Sequence, residues 1–311
     1  MDTIPKERVP QIDSHPLGNS AKTEQAALGF DLVAQALPEK PLVTIEPSRS
    51  WVGLNLRDLW TYRELLYFLT WRDVKVRYKQ TVLGAAWAVI QPLAMMIIFT
   101  FCFSKLIRVP TEGVPASLFY FVGIMPWMFF SNALTSSSNS LIANGHLITK
   151  VYFPRMIIPA ASVGAMLLDF AIAFALLLGL MPYYHMPLTW KICMFPALVV
   201  LTTLLAVAVG MWMAALSVKY RDVRHALPFI VQLWMFATPI VYPLSLVPPP
   251  WRRWMIVLNP LTALIEGYRD ALFGHPFDWF GLSISATTTA LLFFYFAHVF
   301  RRMERTFADV I

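Results

Sequence analysis

The chain has 311 residues, of which 58% are hydrophobic, 14% aromatic and only 14% charged, with a mean hydropathy of +0.58. An ordinary soluble domain carries roughly a quarter charged residues, so there are too few charges here to coat a soluble globule. The formal net charge is +7, from 25 Lys and Arg against 18 Asp and Glu. The basic residues cluster between apolar runs, which favours the anionic cytoplasmic leaflet as partner and not nucleic acid. Two cysteines far apart, Cys102 and Cys193, exclude a disulfide framework and leave the redox compartment unread.

Residues 1–50 mix six prolines with scattered charges and lack sustained periodicity, so they read as a flexible cytoplasmic tail, with a short helix near 22–36. No continuous apolar core with a small-residue cleavage site occurs there, and no cleaved signal peptide is expected. Residues 51–80 form the next unit. Between 56 and 79, Leu59, Trp60, Tyr67, Trp71, Val74 and Tyr78 recur at helical spacing among Arg57, Arg72, Lys75, Arg77 and Lys79. The pattern predicts an amphipathic helix on the membrane surface, capped by Asn55.

Residues 81–311 read as a six-span transmembrane domain. The runs 80–104, 113–149, 192–218, 225–251 and 279–300 contain no Asp, Glu, Lys or Arg, and a sixth, 156–181, is interrupted only by Asp169. Each is long enough for a hydrocarbon core of about 30 Å at about 1.5 Å per residue. Six crossings put both termini on one side. Beyond the tail, the connections on that side carry 14 Lys and Arg, against six on the other, so both ends are predicted to be cytoplasmic. Between spans five and six, the apolar stretch 254–265 has only 12 residues, broken at Asn259-Pro260. That length predicts a re-entrant or interfacial external hairpin. The fold class is therefore all-α integral membrane.

No Gly-x-x-x-x-Gly-Lys-Ser/Thr loop occurs, so ATP hydrolysis by that route is not expected of this chain. The six histidines are isolated, and no metal or catalytic site is expected. Asp169 is the one acid inside a span. It either fastens one helix to another or serves a proton-coupled carrier. Ser131, Asn132, Thr135 and the Ser136 to Ser140 run could line a hydrated passage or pack helix against helix. Trp87, Phe119, Tyr120, Trp127, Phe129, Phe130, Trp212, Trp234, Phe236 and Tyr242 could stack on sugar faces or anchor and pack the spans. Residues 141–155 (LIANGHLITKVYFPR), with Leu141, Asn144, His146, Lys150, Tyr152, Phe153 and Arg155, could form a short protruding helix or an ordinary basic loop. The basic loop 218–226 poses the same choice.

The stretches 71–92 (WRDVKVRYKQTVLGAAWAVIQP), 123–131 (GIMPWMFFS), 148–159 (ITKVYFPRMIIP), 220–243 (YRDVRHALPFIVQLWMFATPIVYP) and 259–270 (NPLTALIEGYRD) stand in one order. In these the chain resembles the ABC-2-type permeases that export polysaccharides, the transmembrane subunits of O-antigen, capsule and teichoic-acid exporters. The resemblance implies a homodimer in a bacterial inner membrane, paired with two copies of a separate ATP-binding subunit that carries ATP and Mg. It also implies that the N-terminal helix and the 141–155 loop contact that subunit, with the loop as coupling helix, and that the external hairpin shapes the exit. The substrate implied is a polysaccharide, lipid-linked in the family's manner; the alternatives are an exporter of lipids or drugs, or a membrane glycosyltransferase. A glycan needs a protein-lined passage, because each unpartnered hydroxyl moved into hydrocarbon costs roughly 2 to 7 kcal/mol.

Overall fold

The computed structural model describes residues 60–79, 84–151, 153–304 and Phe307. The expected tail 1–50, the Asn55 cap and Tyr152 lie outside the described residues. Among the described residues the protein is helical, without strands. In chain order the helices are α1 (Arg63–Lys79), α2 (Trp87–Phe99, continued by a π-helical turn over Thr100–Leu106), α3 (Ala116–Ala143), α4 (Gly145–Lys150) and α5 (Ile157–Tyr183). There follow α6 (Phe195–Lys219), α7 (Val223–Ala237), α8 (Pro249–Leu258), α9 (Pro260–Phe273) and α10 (Trp279–Glu304). Five of the described segments are long and apolar enough to cross a membrane: Trp87–Leu106, Ala116–Ala143, Ile157–Tyr183, Trp190–Lys219 and Trp279–Glu304.

The central element is α3, which packs against α2, α5, α6, α7 and α9. Small residues set the distance to α6. Ser138 and Ser217 share a hydroxyl hydrogen bond at 2.7 Å, and Ser137 lies against Gly210 so closely that a Cβ there would stand 2.6 Å from the Ser137 hydroxyl. Such small contacts let membrane helices approach backbone to backbone. Helix α1 lies on α5 through Leu69 and Val74, with Thr70 seated on Gly164.

The uncharged run 225–251 is not one helix. Helix α7 has 15 residues, which at 1.5 Å each is about 22 Å, short of a ~30 Å core. Thr238, Pro239 and Pro243 follow, and the backbone leaves the helical path. The freed groups are satisfied by α9: buried Arg269 donates to the carbonyls of Pro239 (3.0 Å) and Ile240 (2.7 Å), and Glu266 accepts from the Leu244 amide (3.0 Å). Helix α9 itself begins at an Asn259 side chain that accepts from the Leu261 amide, with Pro260 next, and ends at Gly274 in the left-handed region (φ 79°). Both ends follow standard helix-boundary chemistry.

A Cβ on Gly123 of α3 would stand 2.9 Å from both the Arg269 guanidinium and the Ile240 carbonyl, whereas one on exposed Gly179 would meet nothing within 4 Å. Gly123→Ala is therefore expected to cost about 1–3 kcal/mol by overpacking. Gly179→Ala is expected to be neutral or to gain up to about 1 kcal/mol. Thermal unfolding of the detergent-solubilised chain checks the contrast, and equal effects would refute this packing.

Candidate translocation path and coupling surface

The sequence nominated ring-bearing residues as a set, and the structure separates them. Phe119, Tyr120, Trp127, Phe129 and Phe130 of α3 are buried inside the chain. Their rings pack on Tyr120, Phe130, Phe170 and Trp234 at centroid distances of 5.1–6.1 Å. Trp234 and Tyr242 are half-buried, Trp212 stacks on Phe296 at 4.7 Å, and Phe236 is exposed. Trp87, at the start of α2, is 53% exposed.

A cavity of about 280 Å³ brings Trp87, Phe129, Asn132 and Asp169 together with Arg77, Tyr78 and Gln91. That is room for several waters at roughly 30 Å³ each. Asp169 accepts hydrogen bonds from the Arg77 guanidinium and the Tyr78 hydroxyl. These α1 partners come from about 90 positions upstream, so no local spacing signalled them. Burial, and then the Asp169 carboxylate, push the Tyr78 phenol's pKa up and keep it a donor.

The hydroxyl-rich half of α3 divides by face. Ser137, Ser138 and Ser140 are buried and face the packed side. Met128, Ser131, Asn132, Thr135, Ser136 and Asn139 form the opposite stripe, which the chain leaves partly or fully uncovered. Positions 128, 132, 135 and 139 follow the spacing of one helix face. Three hydroxyls on α3, those of Ser131, Thr135 and Ser140, donate to carbonyls one turn back, as Thr135 does to Ser131 at 2.9 Å.

At the C-terminal end of the same helix, α4 stands on a second core in which Leu141, Ile148 and Phe153 are buried. His146 and Lys150 are exposed. Asn144 accepts from Arg72 of α1 at 2.8 Å, and Arg155 donates to the Glu304 carbonyl at 2.7 Å while its amide donates to the Glu304 carboxylate at 3.1 Å. Thus α4 is tied to α1 on one side and to the end of α10 on the other. Arg72 and Glu304 were not singled out for this role from sequence.

Several helices long and apolar enough to cross a membrane, with a polar stripe and a charged cavity, make this a multi-pass helical membrane protein. The model of the family described as ABC-2 type transporter matches residues 64–273, and the chain belongs to that family. The chain is 31% identical over 259 residues to an O-antigen export system permease protein of Myxococcus xanthus, covering 82% of this chain and 98% of that one. It is 28% identical over 250 residues to the protein of the same name from Klebsiella pneumoniae, covering 80% and 95%. With a polysialic acid transport protein of Escherichia coli it shares 23% identity over 238 residues, covering 75% and 91%.

Asp270 of α9 borders a smaller cavity with Glu112, Glu266 and Asp278. Its pKa is pushed up to about 7, first by burial and then by Glu266, with Glu112 and Asp278 adding to the rise and Lys191 opposing it. His275 Nδ1 stands 4.0 Å from the carboxylate. A raised carboxyl pKa makes its protonated form the one the fold prefers, so this contribution is full below about pH 4 and is lost as pH rises through about 7. Asp270→Asn is expected to flatten the fall in melting temperature between pH 5 and 8. An unchanged slope in a pH series of thermal melts would refute the assignment.

Proposed function

We propose that this chain is the membrane-spanning permease subunit of an ATP-driven exporter that moves a polysaccharide, such as O-antigen or capsule, across the bacterial inner membrane. The exporter's nucleotide, with Mg, is held by a separate ATP-binding subunit, two copies of which pair with a homodimer of this chain. The observation that carries the reading is the uncovered polar stripe of α3. On a helix otherwise enclosed by its own protomer, Asn132, Thr135 and Asn139 face outward, and hydrocarbon would leave their remaining hydrogen-bonding capacity unmet. A hydrated path shared with a second copy meets it. Supporting this, α2 is the least enclosed of the candidate spans, and α7 exposes Phe229, Ile230, Leu233 and Phe236. Two such faces give a second copy apolar area to cover. Weak ring stacking and amide contacts then let a glycan slide.

In this arrangement six crossings place both termini in the cytoplasm, with α7 and the segment after it as the fifth. Helix α1 lies at the membrane surface, where exposed Trp60, Tyr67 and Trp71 share a face with Lys75, whose ammonium stands 5.4 Å over the Trp71 ring. That pairing of rings and cations suits an interface. Helices α8 and α9 form the external re-entrant hairpin at the exit, and α4 contacts the ATP-binding subunit.

Trp87→Ala is expected to slow export at least severalfold with folded yield unchanged, because the ring is half exposed. Phe129→Ala removes a buried ring and is expected to cost about 3–5 kcal/mol of stability. Surface-glycan quantification beside membrane yield separates the two, and parallel losses for both would refute a path role for Trp87. Alanine at His146 and Lys150 together is expected to raise the ATP hydrolysed per glycan exported, and an unchanged ratio in vesicles counts against coupling through α4.

A further inference from the structure

A cleft of about 440 Å³ opens at the end of the bundle that carries α4. Its walls come from three elements: His146 and Thr149 of α4, Ser217 and Lys219 at the end of α6, and Arg221 and Arg224 where α7 begins. Three permanent cations and an imidazole thus converge on one space. None of Lys219, Arg221 or Arg224 forms an ion pair among the described residues. The one acid nearby in sequence, Asp222, does not line the cleft. Lys219 instead holds its ammonium 5.1 Å over the Tyr220 ring. Arg224 Nε is buried and makes no hydrogen bond among the described residues.

This arrangement runs against local electrostatics. Arg224 stands in the first turn of α7, where the helix dipole disfavours a cation, and three like charges around one cleft repel each other. The rule that basic residues gather in cytoplasmic loops accounts for their presence in 218–226. It does not account for their convergence with two hydroxyls on a concave site, or for a guanidinium nitrogen buried without an acceptor. An anion with several acceptor oxygens supplies what Lys219, Arg221 and Arg224 lack.

We propose that this cleft binds a phosphate group at the cytoplasmic surface, with Arg221, Arg224 and Lys219 as the charged ligands. The volume exceeds what a single ordered water needs, about 30 Å³, by an order of magnitude, so a phosphate with its ester substituents fits. Basic pockets between transmembrane helices on the cytoplasmic side suit the headgroups of lipids such as cardiolipin. The orientation proposed above puts the cleft at that leaflet, but binding itself does not depend on what the protein exports. Bound phosphate next to α4 would brace the coupling helix from its third side.

The test is thermal unfolding of the full-length chain in uncharged detergent, titrated separately with cardiolipin, phosphatidylcholine and inorganic phosphate. Cardiolipin is expected to raise the melting temperature by several degrees, as ligand binding to the folded state requires, and phosphatidylcholine is expected to leave it unchanged. Arg221→Gln with Arg224→Gln is expected to remove at least half of that rise. Arg221→Gln alone, at an exposed side chain, serves if the double variant does not fold. A rise with cardiolipin only assigns the phosphate to a lipid headgroup. A comparable Arg-dependent rise with millimolar inorganic phosphate assigns it to a free anion. Equal shifts for wild type and variant, or for cardiolipin and phosphatidylcholine, overturn the proposal. So does loss of the ATP-binding subunit on co-purification of a variant whose lipid and phosphate responses stay at wild-type level, which would make the cleft a protein contact.

Discussion

Hydrocarbon offers no hydrogen bonds, so every polar group at membrane depth must find a partner within protein or water. The Arg269 and Glu266 pair of α9 answers that constraint where the chain is least regular. Their charges stand 3.0 Å apart, Arg269 lies 3.9 Å over the Phe119 ring, and between them they bond three backbone groups of the segment after α7. A buried ion pair is a weak source of net stability on its own, because desolvation offsets much of its attraction. Here it stabilises non-helical backbone that would otherwise be left unsatisfied. It also fixes α9 against α3, the helix on which the rest of the bundle is assembled.

The same constraint gives meaning to what α3 leaves uncovered. Its packed side joins hydroxyl to hydroxyl and glycine to serine, and so closes on α6 without apolar bulk. Its open side keeps amides and hydroxyls, and the cavity with Trp87, Asp169 and Arg77 lies beside it. At one end of α3, Asn144 and Arg155 brace α4 between α1 and α10. In the proposed exporter a displacement of α4 by the ATP-binding subunit therefore reaches the stripe through one continuous helix. It reaches the cavity through α1, which holds both Arg72 and Arg77.

Much of this was legible in the residues. Four uncharged runs, and the run interrupted only by Asp169, mark the five segments that the structure makes long apolar helices, and Asn259-Pro260 marks the junction of α8 and α9, because their local chemistry is complete within a few positions. The uncharged run 225–251 misled as to continuity. Composition cannot tell an apolar helix from an apolar segment bent at Pro239 and Pro243, and the side chains that make the bend tolerable lie about 25 positions downstream. The aromatic set was legible only as a set, since a buried ring and a path-facing ring are the same letter. Burial of Phe119, Tyr120, Trp127, Phe129 and Phe130 depends on tertiary packing, as does the meeting of Asp169 with Arg77 and Tyr78. The serine-rich half of α3 hid a division by face that a count of hydroxyls does not reveal.

The most direct measurement is aqueous accessibility along α3 in membranes. With Cys102 and Cys193 replaced by Ser, single cysteines at 128 through 139 are reacted with a membrane-impermeant thiol reagent in inside-out vesicles. Labelling at positions 128, 132, 135 and 139, with silence at 133, 134, 137 and 138, is the result expected of a stripe that faces water. Silence at all four stripe positions, together with their modification by a lipid-soluble reagent, would contradict it.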